Sequence, residues 1–263
     1  MDKFRDFWVR TALVLALLLP VYFLVAALGT KFHVLDWRFG FGQLTFRWGP
    51  LLLLGVAVLA LIGLVMAFFT PPRRGMGAAL IALLIPALGI GYALYVRQQA
   101  QSIPPIHDIS TDLVEPPTFS DAVAQARAVV PSGNDLELLG ARDGEGRAII
   151  DLQREAYPDI AAIPTGLDQA RAFDIALALA REQGWTLGHV DAASGVIEAT
   201  VESFWYGFVD DIAVRVRADG SGARIDMRSV SRVGMSDLGA NAARMRPFLA
   251  ELQRRLQEVE GAS

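Results

Sequence analysis

The sequence predicts a membrane protein in two parts. Three N-terminal transmembrane α-helices precede a C-terminal α+β domain, a four-stranded antiparallel sheet with two main helices. Three runs lacking any charged side chain carry the first half of this reading: Thr11 to Thr30, Trp48 to Pro72 and Gly75 to Val96. The second half rests on four short segments in which apolar and polar residues alternate with the period of a strand. Composition agrees, since 53% hydrophobic residues and a mean hydropathy of +0.36 are high for a soluble chain.

Each charge-free run supplies the roughly 20 apolar residues that a helix needs to cross ~30 Å of hydrocarbon. A backbone in lipid must pair its N–H and C=O groups internally, so such runs become helices, here expected near 11–30, 49–70 and 76–96 within a region 1–97. Pro20 and Pro86 lie inside two of them and are expected to kink them. The first run is long for a signal-peptide core, and no small-x-small cleavage site follows it.

Lys3, Arg5 and Arg10 precede the first run, and Arg73 and Arg74 fill the turn after the second. Putting these five on the cytoplasmic side leaves four, Lys31, Arg38, Arg47 and Arg97, outside. The bias places the N-terminus in the cytoplasm and exports the C-terminal domain, into the periplasm for a bacterial inner membrane protein. Between the first two runs, Phe32, Trp37, Phe39, Phe41, Phe46 and Trp48 alternate with polar residues. That pattern suits a short hairpin in the headgroup layer, either an interfacial aromatic belt or a ligand platform.

Residues 98–118 read as an extended linker, because Pro104, Pro105, Pro116 and Pro117 oppose helix. The soluble domain is expected over 119–260. Ser120 can cap a short helix through Ala128, residues 131–147 look like a surface loop, and a short helix covers Ala148 to Ala156. Thr165 with Asp168 resembles a capping box before a helix whose apolar face holds Phe173, Leu177 and Ala180, with Gly184 at its end. Strands follow at Trp185 to Val190, Val196 to Phe204, Ile212 to Arg217 and Arg224 to Arg228, the last with Ile225 and Met227 opposite Arg224, Asp226 and Arg228. One sheet face should be buried and the other wet, the wet one pairing Glu198, Glu202, Arg215, Arg217 and Arg228 across strands. Ser236 or Asp237 can cap the closing helix, whose stripe is Met245, Leu249, Leu252 and Leu256; Pro247 should start or bend it.

A net charge of −4 gives no basic footprint for nucleic acid, and the lack of cysteine excludes disulfides, thiolate metal sites and cysteine nucleophiles. His33, His107 and His189 lie far apart without metal-ligand spacing, so neither a metal nor another cofactor is implied. His107, Asp108 and Ser110 sit too close on an extended chain to form a triad, and His107 with Asp108 reads better as a docking linker. Trp205 and Tyr206 beside Asp210 and Asp211 could receive a cationic or sugar-like ligand, or could simply cap the core. Arg228, Ser231, Arg232, Asp237 and Asn241 form the densest polar group, with Ser229 and Ser231 in the inward phase of their strand. A strand end meeting a helix N-terminus there could hold an anion, or Asp237 could only cap and Asn241 only tie the turn.

Four blocks carry a family resemblance: Ile106-His107-Asp108-Ile109-Ser110 with Pro116-Pro117, Tyr157-Pro158-Asp159, Phe204-Trp205-Tyr206-Gly207-Phe208, and Arg228 through Asn241. Their order resembles the bacterial family known as domain of unknown function 1499, over most of residues 103–255. The resemblance implies a small α+β domain, often membrane-tethered or exported, and implies no activity and no catalytic residue. The expectation is therefore an envelope protein whose exported domain binds a protein partner or assembles with itself. A membrane-proximal module for a lipid or small anion is the alternative, and a hydrolase using His107 or the Asp210/Asp211 pair a second one.

Overall fold

The computed structural model describes residues 2–262 and divides into two compact units, the first ending at Gln99 and including Phe204–Gly207, the second holding the rest. The first unit contains α1 (Asp2–Lys31), a wide π-helix (Arg38–Trp48), α2 (Gly49–Phe69) and α3 (Met76–Gln101). Three helical stretches, Asp2–Lys31, Arg38–Phe69 and Met76–Gln101, are long and apolar enough to cross a membrane. Pro20 and Pro86 lie inside α1 and α3, each of which runs on as one helix.

Small side chains set the packing of this unit. Ala12 and Ala16 of α1, Val56 and Ala60 of α2 and Ala82 of α3 share one buried cluster. Such small side chains let the helix backbones approach closely, and interhelical hydrogen bonds add to the cohesion. Trp8 donates its indole N–H to the carbonyl of Leu59 at 3.0 Å. Arg5 is 1% exposed and donates to the Thr70 carbonyl at 3.0 Å, satisfying an acceptor just past the C-terminus of α2.

The connection after α1 departs from the expected hairpin. Gly40 presses on the last turn of α1, where an added Cβ would stand 1.9 Å from Thr30 Oγ1. Two carbonyls of the π-helix find side-chain donors, Leu44 from Tyr22 and Gly40 from Thr45. These supports favour a coiled backbone over the strand-like alternation of its aromatics. Phe32, Phe39, Phe46 and Trp48 remain exposed.

The second unit holds β1 (Asp108–Ser110), α4 (Asp121–Ala128), α5 (Ile149–Ala156), β2 (Ile163–Thr165), α6 (Gln169–Glu182), β3 (Thr186–Asp191), β4 (Val196–Glu202), β5 (Val209–Asp219), β6 (Gly222–Ser231) and α7 (Ala240–Gly261). The sheet has six strands, not four, in the order β1-β6-β5-β4-β3 with β2 also on β6, and every pairing is antiparallel. Both extra strands have only three residues, too short for alternation to be seen in sequence. α3 continues to Gln101, and Asp108–Ser110 pairs with β6, within the stretch expected to be linker.

One sheet face is apolar. Ile197, Ile212, Val214, Val216, Ile225 and Met227 pack under Phe173 and Leu179 of α6 and Met245, Phe248, Leu252 and Leu256 of α7. Asp168 caps α6 by accepting the Arg171 N–H, whereas Thr165 lies in β2 and bonds Glu260. α7 begins at Ala240, ahead of Pro247, because the Asp237 carboxylate accepts the N–H groups of Gly239 and Asn241.

The opposite face is only partly wet, with Glu202 exposed and Arg217 and Arg224 about a third exposed. Glu198, Asp211, Asp226 and Arg228 are buried there, beneath chain drawn from residues 108–136. Ser120 gives its hydroxyl to Glu198 at 2.6 Å instead of capping α4. Glu198 and Arg228 thus bond the covering segment, while Arg215 and Arg217 bond both that segment and, across the strands, Asp226 on β6.

Candidate functional site

The charged face places arginines on β5 and β6 opposite carboxylates of the covering segment. Arg215, Arg217 and Arg224 converge on Asp112 and Asp226 at 3.1–3.4 Å. Burial alone would raise the Asp112 carboxyl, but the N–H groups of Glu115 and Val114 and the charges of Arg224 and Arg215 hold it below the usual carboxylate range. Arg228 clasps Asp108 through two bonds, 3.0 and 2.6 Å, and also donates to the carbonyls of Pro117 and Leu136. Asp211 accepts from Arg127 at 2.7 Å and from Arg232 at 2.7 Å. A shallow depression of about 450 Å³ opens over Arg127, whose guanidinium is already bound by Asp211 and by the carbonyls of Asn134 and Ser231.

A second polar group lies on the helix side, where β6 meets α7. Ser229 donates to Asn241 Oδ1 at 2.6 Å, and the Asn241 amide donates to Ser231 Oγ and to the His107 carbonyl, each at 3.1 Å. Arg244 completes it, donating to Ser229, to Asn241 and to Asp210. Ser231, Asn241 and Asp210 therefore meet, as do Asp211 and Arg232, while Arg228 and Asp108 form their own pair. Arg127, Arg244, Asp112 and Asp226 are central to these networks and were not among the candidate site residues read from the sequence. Only Arg244 left a signal, one helical turn beyond Asn241 on the face Asn241 buries.

The loop from Arg232 to Gly239 is fixed at both ends. The Gly234 carbonyl accepts from Asn134 at 2.8 Å, and the Asp237 N–H donates to Ile106 at 3.0 Å. Burial pushes the Asp237 carboxyl up, against the opposing pull of the Asn241 and Gly239 N–H groups. Burial lowers His107, although Asp108 and Asp237 act the other way, and it raises Tyr157 together with Asp237. His107 Nδ1 and Tyr157 Oη are buried without a hydrogen-bond partner among the described residues. Between the fixed ends Met235 is 86% exposed and Leu238 47%, and Leu238 adopts φ +52°. A bulky residue in the left-handed region costs about 1–2 kcal/mol, and such strain gathers at functional sites.

Trp205 and Tyr206 fall within the first unit. There the Tyr206 hydroxyl lies 2.8 Å from Thr45 Oγ1, and its ring meets Phe41 edge-on at 5.0 Å. Among the described residues no group of His, Asp and Glu is arranged to hold a metal ion.

Residues 108–252, more than half of the chain, match the family described as protein of unknown function (DUF1499). Among curated proteins, none matches the chain.

Proposed function

Because the chain belongs to the DUF1499 family, whose function is unknown, we propose from the geometry that it is a membrane-anchored recognition protein. Its three apolar helices span the bilayer, in a bacterial inner membrane with the N-terminus cytoplasmic. The C-terminal domain is periplasmic and docks a protein, either a second copy or a partner, through the Gly234–Gly239 loop.

The observation that carries this reading is the loop itself. Met235 and Leu238 are held out to solvent on a segment tied down by Asn134 and Ile106, and Leu238 keeps a costly φ of +52°. A preorganised apolar tip loses little freedom on binding, which is where association gains affinity. A recognition role also suits the buried arginine–aspartate networks, which occupy the groups that chemistry would need and hold the domain rigid.

The test is association of the full-length protein in nanodiscs, measured by light scattering and by photo-crosslinking from position 235. Oligomers or a specific cross-linked partner are expected, weakened at least tenfold by Met235→Ser. Leu238→Gly separates recognition from folding: it should stabilise the domain by relieving φ while weakening association. A strictly monomeric protein that cross-links nothing refutes the reading.

A further inference from the structure

An open groove of about 550 Å³ runs along the first turns of α1, lined by Lys3, Asp6, Phe7, Arg10, Val14 and Leu15. Lys3, Phe7, Arg10 and Val14 follow one another at helical spacing, so they form a single face. Phe7 and Val14 are exposed, as are Leu17, Leu18 and Val21 further along the helix. Asp6, the groove's acid, is neutralised by two bonds from the buried Arg5, at 2.8 and 2.7 Å. Lys3 and Arg10 make no ion pair among the described residues. The groove therefore offers two free cations about 10 Å apart along the axis, with an aromatic ring between them and an apolar track below.

We infer that this groove binds a diacyl phospholipid with a net-negative headgroup. Arg10 immediately precedes the charge-free run, which sets it at the glycerol level, and Lys3 reaches the phosphate from the water side. The headgroup phosphate sits beside Phe7, and an acyl chain lies along Val14 and Leu18. Two unpaired cations over an apolar track complement an anionic lipid, and a zwitterionic lipid answers only half of that pattern. The inference rests on the proposed membrane insertion of α1.

Full-length protein in detergent is titrated with phosphatidylglycerol or with phosphatidylcholine of the same chains, and retained lipid is counted by native mass spectrometry. Phosphatidylglycerol should be retained at least tenfold better, and Lys3→Gln with Arg10→Gln should abolish the preference, at roughly fivefold per charge. Asp6→Asn should leave it intact, since that carboxylate is already paired. Equal retention of the two lipids, a double variant that retains phosphatidylglycerol as the native chain does, or displacement by soluble glycerol phosphate overturns the inference. Alkaline carbonate extraction of native membranes keeps the two readings apart. Protein that stays in the pellet without lipid preference fails only the lipid site, and protein that is extracted fails both.

Discussion

Arg228 on β6 grips Asp108 on β1 through two parallel hydrogen bonds, and both side chains are buried. The pair spans 120 residues of sequence and joins the start of the second unit to its last strand. The guanidinium also donates to the carbonyls of Pro117 and Leu136 and lies over the Phe119 ring. One side chain thereby fastens three parts of the covering segment.

Arg228→Ala should destabilise the domain by about 3–5 kcal/mol, because it leaves Asp108 charged and unpaired in the interior. Arg228→Lys should recover little, as an ammonium cannot reproduce the two-pronged contact. Asp108→Asn combined with Arg228→Leu should be milder than Arg228→Ala alone. Chemical denaturation of the full-length chain in detergent reads all three.

Phe248 of α7 stacks on Trp185 at 4.6 Å between ring centroids and is fully buried. Phe248→Ala should cost about 3–5 kcal/mol through lost burial and the cavity left behind. The same substitution at the exposed Phe204 should change thermal stability by less than about 0.5 kcal/mol.

Gly195 and Gly184 both have positive φ, +71° and +72°. A Cβ on Gly195 would stand 2.0 Å from the Val216 carbonyl, while one on Gly184 meets nothing within 4 Å. Gly195→Ala should therefore cost about 2–4 kcal/mol, and Gly184→Ala only the conformational part, about 1–2 kcal/mol. Equal melting temperatures for the two variants would contradict the clash.

His107 is held below the ordinary histidine value, chiefly by burial. The unfolded chain then binds the extra proton first, so this contribution is complete above about pH 6.5 and is lost as pH falls through the histidine range. Asp237 is raised, so its contribution is present at low pH and fades as pH rises through the carboxylate range. Melting temperature should drop from pH 7.5 to pH 5.5 in the native chain, and His107→Gln should flatten that drop. Asp237→Asn should keep a drop of the same sign, since Asn also caps the helix and the lost Asp237 charge had only opposed the lowering of His107.

Much of the architecture was legible in sequence because apolar periodicity reports what a surface faces. The charge-free runs gave the long helices, and alternation gave β3 to β6 within a few residues. What alternation cannot report is a charged face that is itself covered. Arg215, Arg217 and Arg228 look solvent-bound by pattern, and the chain over them, from Asp108 to Leu136, buries Arg228 and leaves Arg215 and Arg217 only partly exposed. For the site, Asn241 and Ser231 were visible as polar residues in an apolar phase. Arg127 and Asp112 were not, since neither interrupts a pattern and their partners lie about a hundred residues away.

The covered charged face also imposes an order on biogenesis. Synthesis runs from the N-terminus, so residues 108–136 leave the ribosome well before the arginines of β5 and β6 that will hold them. Until β5 has emerged, Asp112 and Glu115 lack Arg215 and Arg217, and Asp108 waits longer still, for Arg228 on β6. The segment made first is thus the one locked last, and the nascent domain waits for its final hairpin before its acidic flank can leave water.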